Sequence, residues 1–171
     1  MTFRDLKADE IECRIAQTKQ NGLQLLLYKT SRTDAIILDE TVGAENWQRK
    51  HAECKGNLYC SVGINVNYAK PEAPERWIWK EDCGAESNME KEKGEASDSF
   101  KRTMAVNWGL GRELYTAPFI WVTADKCTIN DKKCYDKFDV EKIIIENKRI
   151  VAIAIWNTTK HCRAFVWQKD K

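Results

Sequence analysis

The sequence predicts an α+β fold: an antiparallel three-stranded meander, then a long α-helix, then a small C-terminal β-meander. Three observations carry that prediction. Residues 58–68 alternate, with Leu58, Cys60, Val62, Ile64 and Val66 on one side and Tyr59, Ser61, Gly63, Asn65 and Asn67 on the other, the pattern of a strand with one covered and one open face. A helical period follows from Ser87 to Trp108. Beyond residue 138, three β-rich runs are separated by short polar turns.

At 171 residues the chain is long enough for one domain with a real core. It reads as a core over 1–125 with 126–171 as a β extension of the same domain. Thr2 to Thr18 is charged, with Phe3, Leu6, Ile11 and Ile15 at roughly helical spacing, which predicts a short amphipathic helix capped by Thr2 or Asp5. Asn21-Gly22 signals a turn, and Leu23 to Tyr28 suits a buried strand. Thr30 to Val42 returns to helical spacing, with Ser31 or Thr33 as cap and Gly43 as stop. Arg32 falls at that helix start, where the dipole does not favour a cation. Two readings are open for it: a pair with an acid such as Asp34, or an anion-binding position beside free backbone N–H groups.

Trp47–Lys55 and Leu58–Tyr68 form a hairpin around Gly56-Asn57. After the loop AKPEAPE, Arg76–Gly84 is the third strand, with Trp77 and Trp79 on one face and Ile78 and Lys80 on the other. In the helix, stepping by about 100° per residue from Phe100 puts Met89, Ala96, Thr103, Met104 and Asn107 on the buried side. Asp98, Arg102 and Ala105 point away, Lys101 sits near the boundary, and Lys93 falls on the apolar side, from which its ammonium would have to snorkel. Gly109 and Gly111 end the helix, and Arg112 to Tyr115 leads into a strand at Phe119–Thr123. Residues 125–137 read as a polar loop. Val140–Glu146, Ile150–Trp156 and Arg163–Gln168 are the last three strands.

Composition narrows the function. Hydrophobic content of 43%, charged content of 32% and a net charge of +2 are those of an ordinary globular protein. Seven cysteines without a CxxC, and only two histidines, do not make a usual zinc pattern, so reduced thiols in a cytosolic protein are expected. No apolar run approaches membrane-helix length. A GxxxxGK[ST] loop is absent, and Gly109-Leu110-Gly111 follows a helix instead of opening one, which argues against an ATPase. The candidate acids for metal-dependent cleavage, Glu81-Asp82 and Glu90/Glu92/Glu95, alternate across a strand or lie among lysines, so neither a metal nor any other cofactor is expected. A single-strand site needs cations for phosphates and a surface that tolerates any base. Lys101, Arg102 and Arg112 lie close together in the chain, and Arg32 could join them; the same charges would equally suit a plain solvated helix face.

Three blocks carry a resemblance. LYKTSRTDAIILDETVGAENWQ, with Arg32, Leu38, Asp39, Gly43 and Trp47; WIWKEDCGAES, with Asp82 and Gly84; and EKEKGEASDSFKRTMAVNWGLGRELY occur in this order. Together they resemble the single-strand annealing proteins of the Rad fifty-two superfamily, phage and prophage Sak type, over roughly residues 23–123. The resemblance implies a curved antiparallel sheet packed on a long helix in a β-β-β-α core. It also implies ATP-independent annealing of single-stranded DNA by a ring or helical arc of subunits in the host cytoplasm, outside any membrane, with a host or phage recombination protein as a possible partner. By position, Arg32, Lys101 and Arg102 would meet phosphates, with Lys93 matching a family lysine. The chain departs from the eukaryotic pattern at Ala105, where those members are basic, and at Ala44, where they are aromatic; Arg112 could replace the missing charge. A structural or regulatory interaction module with the same fold is the alternative.

Overall fold

The computed structural model describes residues 1–84 and 91–170, residues 91–93 as backbone only. The fold is α+β and its sheets are antiparallel. The chain divides into two compact units: unit 1 comprises 1–4 and 30–111, unit 2 comprises 5–29 and 112–171.

Unit 1 holds helix α1 (Ser31–Val42), the meander β3 (Trp47–Cys54), β4 (Asn57–Asn65) and β5 (Trp77–Cys83), and helix α2 (Lys91–Arg102). Unit 2 holds β1 (Glu12–Lys19), β2 (Gly22–Tyr28), β6 (Ile120–Thr123), β7 (Phe138–Glu146), β8 (Arg149–Asn157) and β9 (Cys162–Gln168).

The cap of α1 is Thr30, not Ser31 or Thr33: its hydroxyl accepts from the Thr33 N–H at 3.2 Å. Gly43 ends the helix at φ 85°, as its sequence position implied. The β3–β4 hairpin turns one residue earlier than expected, at Lys55-Gly56 (φ 53° and 77°), with Cys54 opposite Asn57. Both turn residues have positive φ, the twist a two-residue hairpin loop favours. Strand β4 is central, and its apolar side is the core: Cys60, Val62 and Ile64 are fully buried with Ile37, Leu38, Phe100 and Met104.

The expected long α-helix is not what forms. Helix α2 has 12 residues, and Thr103–Trp108 continues it as a six-residue π-helical turn; Met89 lies outside the described residues. The wider turn breaks the 100° arithmetic after Arg102. Ala105, expected outward, is buried, whereas Val106 is exposed. Phe100, Thr103 and Met104 do face the core, and Ser99 is buried with them. The π turn is held by side chains reaching backbone: Asn107 Nδ2 donates to Glu81 O at 2.9 Å, and Lys80 Nζ to Asn107 O at 2.8 Å.

The N-terminal amphipathic helix expected over Thr2 to Thr18 does not form; its first residues belong to unit 1 and the rest to unit 2. A 3-10 turn spans Ala8–Glu10, and the chain then enters β1. The helix-like spacing joins irregular chain to a strand. Phe3 and Leu6 are buried ahead of the turn, while Cys13 and Ile15 point inward from β1 at a strand's period. Strands β1 and β2 pair as a hairpin that brings Lys19 opposite Gly22.

The three C-terminal strands, expected as an extension of a 1–125 core, instead share one sheet with the N-terminal hairpin, in the order β6-β2-β1-β7-β8-β9. Its outer strands β6 and β9 approach each other, so the sheet curls almost closed around Leu23, Leu25, Ile120, Val122, Val140, Ile153 and Ile155. The β7–β8 turn, Asn147-Lys148, has φ 50° and 60° and sits where the sequence placed it.

Candidate nucleic-acid interface

The basic pair closes the α-helical stretch of α2 and passes without a break into the π turn, so it stands inside a helical run that ends at Gly109. Lys101 Nζ stands 3.9 Å from Asp98 Oδ1, one turn back on the same helix. Arg102 Nη2 stands 3.4 Å from Asp82 Oδ2 on β5, with 43% of the arginine side chain exposed. Both are long, partly solvated ion pairs, each worth about 0–1 kcal/mol.

Asp82 and Gly84, from the second motif block, have separate jobs here. Asp82 Oδ2 faces Arg102 while its Oδ1 accepts from the Cys83 N–H at 2.8 Å. Gly84 lets α2 come close: a Cβ there would lie 2.4 Å from the Glu95 carbonyl oxygen and 3.0 Å from the Ser99 nitrogen. The helix and its π turn are also tied to the central strand β4, by Glu95 Oε1, which accepts from Leu58 N–H at 2.8 Å, and by Thr103 Oγ1, which donates to Cys60 O at 2.8 Å.

The first motif block is also mostly architecture. Trp47 Nε1 donates to Asp39 Oδ1 at 2.7 Å, and its ring stacks on Phe100 at 6.0 Å between centroids. Leu38 is core and Gly43 is the helix stop. Arg32 is exposed near the start of α1; Asp34 is buried, and the Arg32–Asp34 pair does not form among the described residues.

Of the five residues proposed from sequence, the structure brings Lys101 and Arg102 together and places Arg32 in the same unit. Arg112 belongs to unit 2, where it opens the 3-10 turn Arg112–Thr116. Lys93 is within α2, but its side chain lies outside the described residues, and so does the question of which way it points.

Three further cations, to which the sequence pattern gave no site role, lie over aromatic rings. Arg49 lies over Phe100 (4.8 Å to the centroid), Lys50 over Trp79 (4.8 Å) and Lys80 over Trp108 (4.4 Å). Their signal was strand alternation. Arg49 is two residues after Trp47 and opposite Val62, hence on the covered face, whereas Lys50 is on the open face with Trp77 and Trp79. Trp79 lies directly on Gly63, where a Cβ would meet its ring at 2.5 Å, and it stacks with Trp77 at 6.4 Å. Burial raises the Cys60 thiol to about 11, partly offset by the Arg49 guanidinium.

All seven cysteines carry free thiols. Among the described residues, no group of three His, Cys, Asp or Glu side chains is placed to hold a metal ion, and no helix is long and apolar enough to cross a membrane. Comparison with models of protein families, with curated proteins and with solved structures finds no match.

Proposed function

We propose that this chain binds single-stranded DNA and anneals complementary strands without nucleotide hydrolysis, with Arg32, Lys101 and Arg102 as phosphate contacts. The observation that carries the reading is the state of the basic pair. Both cations sit side by side on one helix in ion pairs that cost little to exchange, so a phosphate with full charge can displace Asp98 or Asp82. Arg32 is exposed at the start of α1 in the same unit, beside backbone N–H groups that favour an anion. The three motif blocks that resemble the Sak-type annealing proteins support the same reading. Contact through phosphates makes binding indifferent to sequence, and base pairing then supplies the free energy of annealing. An assembly of several subunits along one strand, and a recombination protein as partner, belong to the same proposal.

The test is a mobility shift with labelled single strands, followed by an annealing assay. Lys101→Ala with Arg102→Ala is expected to abolish annealing and flatten the salt dependence of binding while the protein stays folded. Annealing at the parent rate by that double variant removes the assignment.

One observation favours the alternative, a module that works through protein contacts. Unit 1 carries twelve Lys and Arg against fourteen Asp and Glu, a net of −2, and exposes Ile36 and Val106. Absence of any shift at low salt selects that reading.

A further inference from the structure

Charge is not shared evenly between the units. Unit 2 carries sixteen Lys and Arg against twelve Asp and Glu, a net of +4, which with the −2 of unit 1 gives the chain its +2. Most of that excess collects around the β1–β2 turn, residues 124–137 and the β8–β9 turn. There six lysines (19, 126, 132, 133, 137 and 160) face three aspartates (125, 131 and 136). Asp136 is buried and already engaged, accepting from Thr128 N–H at 2.7 Å and Asn157 Nδ2 at 2.8 Å.

Two open clefts lie in this region, of about 670 and 450 Å³. They share Gln20 and Lys132, so they run into one another. The first is also lined by Lys160 and the second by Lys19, with Asp131 the one acid among the lining residues. The walls are built, not loose. Lys160 Nζ donates to Asp125 O at 3.0 Å, and Asn157 Oδ1 accepts from the N–H groups of Thr159 and Lys160, each at 3.0 Å. Asn130 and Lys133 exchange backbone hydrogen bonds at 2.9 and 2.8 Å, which sets Asp131-Lys132 in a tight turn at φ 47° and 60°. On the same loop, Tyr135 is 81% exposed, a large ring held out in water where a core would have used it.

We infer that this end of unit 2 is a contact surface for single-stranded nucleic acid, with Lys19, Lys132 and Lys133 meeting phosphates and Tyr135 stacking on a base. The chemistry selects that ligand. Lysines recognise phosphate as point charges, and a tyrosine face accepts any base. A duplex keeps its base faces inside the stack, where Tyr135 cannot reach them, and an acidic peptide has no base face to offer. The inference stands on unit 2 alone and does not require the contacts of unit 1.

The test measures fluorescence polarisation of a labelled oligothymidine with the full chain across a salt series. The variant is Lys19→Gln, Lys132→Asn and Lys133→Gln. Asparagine is chosen at 132 because it tolerates positive φ. The three side chains are exposed, so the melting temperature is expected to stay within a few degrees of the parent. Affinity at low salt is expected to fall at least about tenfold, and the salt slope by about 2, at ~0.7 for each phosphate that is no longer neutralised. Tyr135→Ala alone is expected to weaken binding about fivefold or more. Lys19→Arg with Lys133→Arg keeps the charge and should bind like the parent.

Parent-like affinity and slope in the triple variant overturn the inference. So does a parent protein that binds no single strand, or one from which duplex DNA or polyglutamate displaces the oligonucleotide equally well. Lys101→Ala with Arg102→Ala is measured beside it. Loss of binding only there assigns the strand to unit 1 and overturns this site, while a loss in the unit 2 variant alone supports this site and removes the unit 1 contacts.

Discussion

Replacing Asp82 with asparagine tests whether Arg102 is held in reserve for a phosphate. The pair is 3.4 Å long, with 43% of the Arg102 side chain and 16% of the Asp82 side chain exposed. At that separation two unit charges in a water-like dielectric attract by about 1 kcal/mol, and measured exposed pairs fall in the range of about 0–1 kcal/mol. Asparagine keeps the Oδ1 that accepts from Cys83 N–H at 2.8 Å, so the end of β5 retains its local bond. Stability should therefore fall by less than about 1 kcal/mol, read as a melting temperature lower by no more than about 4 °C for a chain of this size. Binding should move the other way. A strand no longer has to displace the carboxylate, and a negative charge has left the neighbourhood of its phosphates, so affinity for an oligonucleotide should rise by up to about fivefold at low salt. The gain should shrink as salt is added. Polarisation binding at two ionic strengths, beside a thermal melt, measures both sides. Unchanged or weaker binding by a folded Asp82→Asn protein refutes the role given to Arg102.

Two further outcomes follow from the packing. Gly84→Ala forces a methyl to within 2.4 Å of the Glu95 carbonyl oxygen, so α2 must retreat by about 1 Å, a strain of ~1–3 kcal/mol that a urea titration would register as a lower midpoint. A midpoint equal to the parent's would show that the helix does not lie so close to β5. Alkaline pH should also destabilise the fold. Burial raises Cys13 to about 12 and Cys60 and Cys127 to about 11, so all three stay protonated in the folded state after the unfolded thiols have ionised. Their contribution is complete below about pH 8.5, declines as pH rises above it and is gone by about pH 12. Cys60→Ala should flatten part of that decline in melts between pH 8 and 11, and an identical slope would remove Cys60 from the account.

Local signals read well where a single residue or a short period dictates the backbone. Gly43 stopped a helix, Asn147-Lys148 turned a hairpin, and the alternation of β4 named the core face at Cys60, Val62 and Ile64 correctly. Reading failed where one pattern had two sources. Phe3, Leu6, Ile11 and Ile15 mimic one helix, but the first three lie in irregular chain and only Ile15 is in a strand. It failed again past Arg102, because a π turn shifts the phase of every later side chain without any glycine or proline to announce it. The basic residues were visible in the sequence, as was Asp98 one helical turn before Lys101, but the counterion of Arg102 was not. Asp82 is twenty positions from Arg102 and meets it only because β5 and α2 pack together.

Residue order was enough to set the class of the fold, the meander with its covered face and the place of the Lys101-Arg102 pair on a helix. These rest on period, turn chemistry and charge, which act within a few residues. Three features emerge only in the folded chain: the first and last strands share one sheet, Arg102 faces a carboxylate of β5, and Lys19, Lys132 and Lys160 border adjoining clefts. Most of these join segments far apart in the chain, and strand pairing and side-chain packing, which no local pattern encodes, choose among such partners.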